Sequence, residues 1–381
     1  MAEQQDNAQS ISADEIALYD RQIRLWGVQA QEKIRSANIC LITVKALANE
    51  VAKNLVLAGI GSLTIIDHQH VTEEDLGAQF FVAEALSEQE VIGKNRAQVA
   101  GPQIHKMNPR VKLHIDTSDV KTKEYEFFAQ FDIIIATELD FNTNTIVNAA
   151  CRLANRPFYA AGLHGFYGYA FADLIQHEFV IERSKSNMTT ATQETPTRTV
   201  INITTKEEQS KTKEPNKIIE LVTNKHFPLP EDYTRLPRRR KQVTPLLSCL
   251  RALWEFEKLL GRRPTFTHED LELFTKLSRD RHQELKLEPL TLDSVFLRTF
   301  LQNLGSELSP VAAFLGGSVA QDVINVLSAR EQPLQNMLLF DGEKSIGPIY
   351  PLHPFFPDRT ELAAVPPVRN PVTVPLTEMG Q

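Results

Sequence analysis

"NICLITVKALANEVAKNLVLAGIGSLTIID", residues 38–67, decides the fold. It opens with "NICLITV", a short, β-branched, apolar run suited to a strand buried on both faces. Leu47, Val51 and Leu55 then recur at four-residue spacing, on one side of a helix that ends near Gly59. "SLTIID" (62–67) is a second strand, ending in an acid. Strand, tight turn, helix and strand together outline a dinucleotide-binding unit, whose first turn normally carries glycines. Those glycines permit unusual φ and let the backbone approach phosphates without a Cβ in the way. "TVKALAN" has none, and Thr43, Ala46 and Ala48 stand about where they are expected. Left-handed φ costs an L-residue about 1–2 kcal/mol, and each methyl occupies phosphate space. The turn therefore reads as a structural strand-to-helix connection, and Asp67 as a turn or cap residue rather than a ribose ligand.

Further strand candidates are "VKLHI" (111–115), "FDIIIAT" (131–137) and "PFYAAGLHG" (157–165). A helix through roughly 89–107 stops at Asn108-Pro109, and "TNTIVNAACRLAN" forms another. This alternation predicts an α/β fold, Rossmann-like, with a mainly parallel sheet covered by helices on both faces. Residues 184–217 are rich in Thr, Lys, Ser and Glu and read as a mobile excursion, with a short strand at "TVINI". From about 243 to 303 the pattern is helical, with Leu246, Leu250, Trp254 and Phe256 or Leu259 along one stripe. "PVAAFLGGSVAQDVINVLSA" (310–329) is a strong helix whose Gly316-Gly317 pair implies close backbone packing. "MLLFDG" returns as a strand.

The 381 residues carry a formal charge of −7, which argues against a general nucleic-acid binder. Cys40, Cys151 and Cys249 lie far apart, without zinc-ligand spacing, and predict a reducing compartment. Cys151 reads as a core thiol. The polar start "MAEQQDNAQS" and the expected absence of a membrane-spanning stretch predict a soluble intracellular protein. His68, His70 and His164 have no ligand-like partners in sequence, so no metal site is expected. "RLPRRRK" (235–241) reads either as a nuclear-import signal or as a solvated basic run. "LYDRQIRLWG" (18–27) combines an apolar spine of Leu18, Tyr19, Ile23, Leu25 and Trp26 with two arginines on a short helix.

"YDRQIRLWG", "AGIGSLTIIDHQHVTEEDLGAQFF", "VIGKNRAQVA", "NP", "PVAAFLGGSVAQDVINVLS" and "LLFDG" occur in that order. Together they resemble the ubiquitin-like-modifier activating enzymes. Within that family they are most similar to the smaller, non-catalytic subunits of the SUMO branch. The likeness covers roughly 12–183 and 300–345. It implies the inactive half of a ThiF-type adenylation fold. Flexible residues 1–15 precede a pseudo-adenylation domain in two parts (16–183 and 304–350). Between the parts lie a flexible insertion (184–217) and a helical one (218–303), and a Pro-rich tail (351–381) follows.

In this family two related domains pair, and one of them binds ATP, Mg2+ and the modifier's C-terminus. Four departures mark this chain as the other half. They are the glycine-free turn, Asp67-His68-Gln69 in place of paired aspartates, Gly77-Ala78-Gln79 in place of Asn-Arg-Gln, and Leu139-Asp140 with Asn144 near the metal position. A one-residue slip leaves Asp140 open as a metal ligand. The resemblance implies ATP and Mg2+ held by the partner subunit and none by this chain. It implies a heterodimer with the catalytic SUMO-activating subunit, and contact with SUMO and a conjugating enzyme through the complex. Arg21 matches the arginine that reaches across to the partner's ATP, and Arg24 lies on nearly the same helix face. No nucleic acid or membrane is expected. The expected location is the nucleus, with the cytoplasm open. A regulatory subunit for another modifier, a pure scaffold, a self-sufficient sulfur-carrier adenylating enzyme and a nicotinamide-dependent oxidoreductase are the alternatives.

Overall fold

A computed structural model describes residues 11–86, 90–181 and 237–352, with Leu229, Tyr233, Arg235 and the backbone of three strands between 193 and 214. The expectations for 1–10, for the rest of 184–217, for most of 218–236 and for the tail from 353 lie outside the described residues.

The chain opens with three short helices, α1 (Ala13–Leu18), α2 (Asp20–Trp26) and α3 (Val28–Ser36). The alternating unit follows as β1 (Asn38–Ile42), α4 (Ala46–Ala58), β2 (Ser62–Ile66), α5 (Phe80–Leu86), α6 (Arg96–Met107), β3 (Lys112–Asp116), α7 (Tyr125–Ala129), β4 (Ile133–Thr137), α8 (Phe141–Leu153), β5 (Phe158–His164) and β6 (Tyr167–Asp173). Strands β7 (Ile175–Ile181), β8 (Gln193–Thr195), β9 (Arg198–Ile203) and β10 (Glu208–Glu214) come next. The remainder is α9 (Pro237–Arg240), α10 (Leu246–Leu260), α11 (His268–Glu284), α12 (Ser294–Gln302), α13 (Ser309–Ser328), β11 (Met337–Asp341) and β12 (Ile349–Tyr350).

The main sheet has the order β12-β11-β6-β5-β4-β1-β2-β3, with β3-β2-β1-β4-β5 parallel and the other edge antiparallel. Strand order reverses between β1 and β4, where a doubly wound sheet places its ligand crevice. The central strands are buried on both faces because successive side chains point to opposite sides. Ile39, Leu41, Ile65, Ile133 and Ile135 enter the core under α4, α6 and α13, while Cys40, Ile42, Ile66, Ile134 and Ala136 enter the core shared with α8, α10, α11 and α12. Full burial of each such Ile or Leu contributes about 1.5–3 kcal/mol.

Several elements differ from the sequence reading. Helix α1 starts inside the stretch expected to be flexible, because Ser12 and Glu15 form a capping box. "LYDRQIRLWG" is not one helix packed through its spine: Tyr19 joins two helices, and Leu18 and Leu25 are exposed. The helix expected from 89 starts at Arg96, where the Asn95 side chain caps the Gln98 N–H. The short strand expected at "TVINI" is β9, and β8 and β10 pair with it and join β7, although the composition around it read as an excursion. Backbone pairing needs little apolar content, so composition underestimates such hairpins. In α10, Phe256 is buried and Leu259 exposed. A Cβ on Gly316 would lie 2.5 Å from the Glu50 Cβ on α4, which explains that glycine, whereas Gly317 faces open space. Contrary to expectation, α13 is long and apolar enough to cross a membrane. It is mostly buried, packed on α3, α4 and the sheet, as the core helix of a globular fold would be.

Candidate functional site

The site expected from the fold is the crevice beyond the carboxyl ends of β1, β2 and β4. Thr43 holds φ 68° there, so the turn keeps the left-handed path of a glycine turn without the glycine. Thr137 Oγ1 donates to the Thr43 carbonyl at 2.8 Å and helps hold it. Amides in this turn and at the helix start attract anions, because the helix dipole and unpaired N–H groups point outward. Two of these amides already have carboxylates. The Val44 N–H donates to Asp67 Oδ2 at 2.8 Å, and the Ala46 N–H donates to Glu307 Oε1 at 2.9 Å.

Asp67 is more than a turn residue. Arg96 Nε donates to its Oδ2 at 2.8 Å and Arg96 Nη2 to its Oδ1 at 3.2 Å, and both side chains are almost fully buried. Arg96 Nη1 also reaches Asp75 Oδ1 at 3.3 Å. Gln79 Nε2 donates to Asp75 Oδ1 and to Glu307 Oε2, the latter at 3.2 Å. Glu307, Gln79, Asp75, Arg96 and Asp67 thus form one chain of contacts across the place a triphosphate would need. The crevice left over measures about 410 Å³. Asp67, Glu74, Asp75, Asp119, Glu138 and Asp140 line it, against the cations Lys45, Arg96 and Lys121. Its carboxylates repel a polyanion. Glu138 has its pKa pushed up to about 7 by burial, opposed by Arg263 and reinforced by Glu307, and accepts the Leu163 N–H at 2.6 Å. The residues present do not fit ATP.

Asp140 caps α8, accepting the Thr143 N–H at 2.9 Å, and lies 3.6 Å from Lys121 Nζ. Asn144 is buried and donates to the Leu139 carbonyl at 3.0 Å. No cluster of three or more His, Cys, Asp or Glu side chains suited to a metal occurs among the described residues. His68 and His70 are exposed at the crevice rim. His164 is buried, its pKa pushed down to about 3 by burial and then by Arg263, and accepts the Gly305 N–H at 3.3 Å. Cys151 is a core thiol whose pKa burial holds well above the ordinary value.

The two N-terminal arginines differ. Arg24 pairs with Asp20 at 2.9 Å along α2. Arg21 is exposed and makes no ion pair among the described residues. An exposed planar donor fork suits the bidentate recognition of phosphate.

Sequence reasoning missed Arg96 and Glu307. Arg96 lies inside "VIGKNRAQVA", where it opens α6, and an arginine at the start of a helix that follows the Asp67 strand was the available signal. Glu307 had no such signal, because it meets Ala46 from 261 positions away.

A doubly wound sheet, an adenylation-type crevice and its filled turn place the chain in a class, and the comparison agrees: the ThiF family profile matches residues 19–358, so the chain belongs to the ThiF family. Among individual proteins it is 37% identical over 347 residues to "DNA damage tolerance protein RHC31" of Saccharomyces cerevisiae, covering 88% of this chain and 96% of that protein. It is 34% identical over 343 residues to "DNA damage tolerance protein rad31" of Schizosaccharomyces pombe, covering 90% and 99%. It is 32% identical over 357 residues to "SUMO-activating enzyme subunit 1" of Homo sapiens, covering 93% and 100%.

Proposed function

We propose that this chain is the non-catalytic subunit of a heterodimeric SUMO-activating enzyme and completes an ATP site held by its partner. One observation carries the reading: the amides that would cradle phosphate are occupied by Asp67 and Glu307, while Arg21 is free at the surface. The likeness to "SUMO-activating enzyme subunit 1" along nearly the whole length of both chains supports the choice of modifier. ATP and Mg2+ belong to the partner subunit.

In the reaction, the modifier's C-terminal carboxylate attacks the α-phosphorus of ATP. A new O–P bond forms, the bond to the β-phosphate oxygen breaks, and pyrophosphate leaves. A partner thiol then attacks the acyl carbon, releasing AMP and giving a thioester. Arg21 acts on the first step. Its guanidinium donates to phosphate oxygens as negative charge moves onto the leaving pyrophosphate. Nuclear residence belongs to the same reading: α9 exposes Arg238 and Arg239, while Arg240 pairs with Glu288 at 2.7 Å.

The test is Arg21→Ala in the heterodimer. Assembly stays intact and modifier-dependent ATP–pyrophosphate exchange falls roughly 10²-fold, the scale of losing one preorganised donor. Exchange at the parent rate favours the pure scaffold. Exchange supported by another modifier and not by SUMO assigns the chain to a different branch.

A further inference from the structure

Arg21 needs a fixed base, and the helices around it bury little: beyond the joint between them, Glu15 on α1 pairs with Arg35 at 3.1 Å and Trp26 Nε1 on α2 donates to Gln31 Oε1 at 2.9 Å. Neither α1 nor α2 buries a side chain. Between residues 12 and 29 the one buried side chain is Tyr19, 7% exposed, at the joint between them. Its backbone, at φ −100° and ψ 16°, ends α1 and starts α2. Its N–H donates to the Glu15 carbonyl at 2.9 Å and its carbonyl accepts the Ile23 N–H at 2.8 Å. Turning Tyr19 therefore turns the first turn of α2, where Arg21 sits.

The slot for Tyr19 is built from distant parts of the chain. Gly59 closes α4 at φ 80°, and a Cβ there would lie 2.6 Å from both Cζ and Oη of Tyr19. Only glycine leaves room for the ring. Asn108, buried at the end of α6, donates through Nδ2 to the Tyr19 hydroxyl at 2.8 Å and to the Val56 carbonyl at 2.9 Å. Gln22 Nε2 adds a tether to the Leu57 carbonyl at 3.2 Å. These contacts converge on the carboxyl end of α4, the helix whose amino end is the filled turn.

We infer that Tyr19, seated over Gly59 and fastened by Asn108, is the positioning residue that aims Arg21 out of this chain toward a partner's phosphate. The inference rests on the reading of Arg21 given above. Three motifs far apart in sequence, "YDRQIRLWG", "AGIG" and "NP", then serve one purpose. A long arginine can reach a phosphate from many directions, but a misplacement of about 1 Å can cost up to about 10²-fold in rate. A ring in a slot with a hydrogen-bonded hydroxyl removes that freedom at small cost in surface.

The test uses the heterodimer with Tyr19→Phe, Asn108→Ala and Arg21→Ala, singly and with each of the first two combined with the third. Two quantities are read: modifier-dependent ATP–pyrophosphate exchange, and hydrogen–deuterium exchange of peptides covering 13–27. Tyr19→Phe lowers kcat about three- to tenfold, leaves KM for the modifier unchanged, and speeds amide exchange in 13–27. Added to Arg21→Ala it causes no further loss, because there is no guanidinium left to aim. Asn108→Ala, which leaves the tyrosine intact, gives the same pattern should Tyr19→Phe fail to fold. A slow Arg21→Ala enzyme beside a Tyr19→Phe enzyme with parent rate and parent amide exchange refutes the clamp alone. So does a Tyr19→Phe loss that reappears in full on the Arg21→Ala background, since that marks general damage. An Arg21→Ala enzyme at the parent rate refutes the reading on which the clamp depends.

Discussion

The two ends of α4 treat charge in opposite ways. At its amino end the acids are engaged: Asp67 with Arg96 and Val44, Glu307 with Ala46 and Gln79. At its carboxyl end the neutral groups Tyr19, Gln22 and Asn108, with the Glu15–Arg35 pair at 3.1 Å, hold the helices that carry Arg21, which makes no ion pair among the described residues. On the proposed reading, a nucleotide fold without its own ligand carries an internal replacement for the phosphate, and a helix that serves a partner carries the reverse, a firm base and an unpaired tip.

The contrast can be broken hardest at Asp67. Asp67→Ala leaves Arg96 buried with only Asp75, and removing one partner of a buried pair costs about 3–5 kcal/mol. Urea unfolding of the chain should show that loss, and a change below about 1 kcal/mol would mean that the turn is held by something else. The Arg21→Ala effect, roughly 10²-fold on exchange, comes next and should leave stability unchanged. Positioning variants at Tyr19 follow, at about three- to tenfold. The smallest effect sharpens the picture instead of breaking it. Thr43→Gly relieves about 1–2 kcal/mol of left-handed strain and adds about 0.5–1 kcal/mol of glycine entropy. Thermal unfolding should therefore show a stabilisation of about 0–1.5 kcal/mol. A clear destabilisation would mean that the threonine side chain itself holds the turn.

The sheet and the empty-looking turn were legible because they rest on local patterns. The β-branched run before Thr43, the four-residue spacing of Leu47, Val51 and Leu55, and the missing glycines all lie within one short segment. What fills the turn was not legible, because Glu307 and Arg96 meet it only through the closure of the sheet. The clamp was half visible: Gly59 and Asn108 stand in motifs that mark the family, but nothing local says that both face Tyr19. The partners of the "TVINI" strand, β8 and β10, were hidden for another reason, since hydrogen-bonded backbone leaves little trace in a polar composition.

One measurement goes straight to the division of labour between the two subunits. The number of nucleotides bound per heterodimer should be read by equilibrium binding, with a photoreactive ATP analogue reporting which chain is labelled. One nucleotide per heterodimer, with label confined to the partner, is the expected result. Two nucleotides, or label recovered in this chain between Thr43 and Ala48, would contradict it.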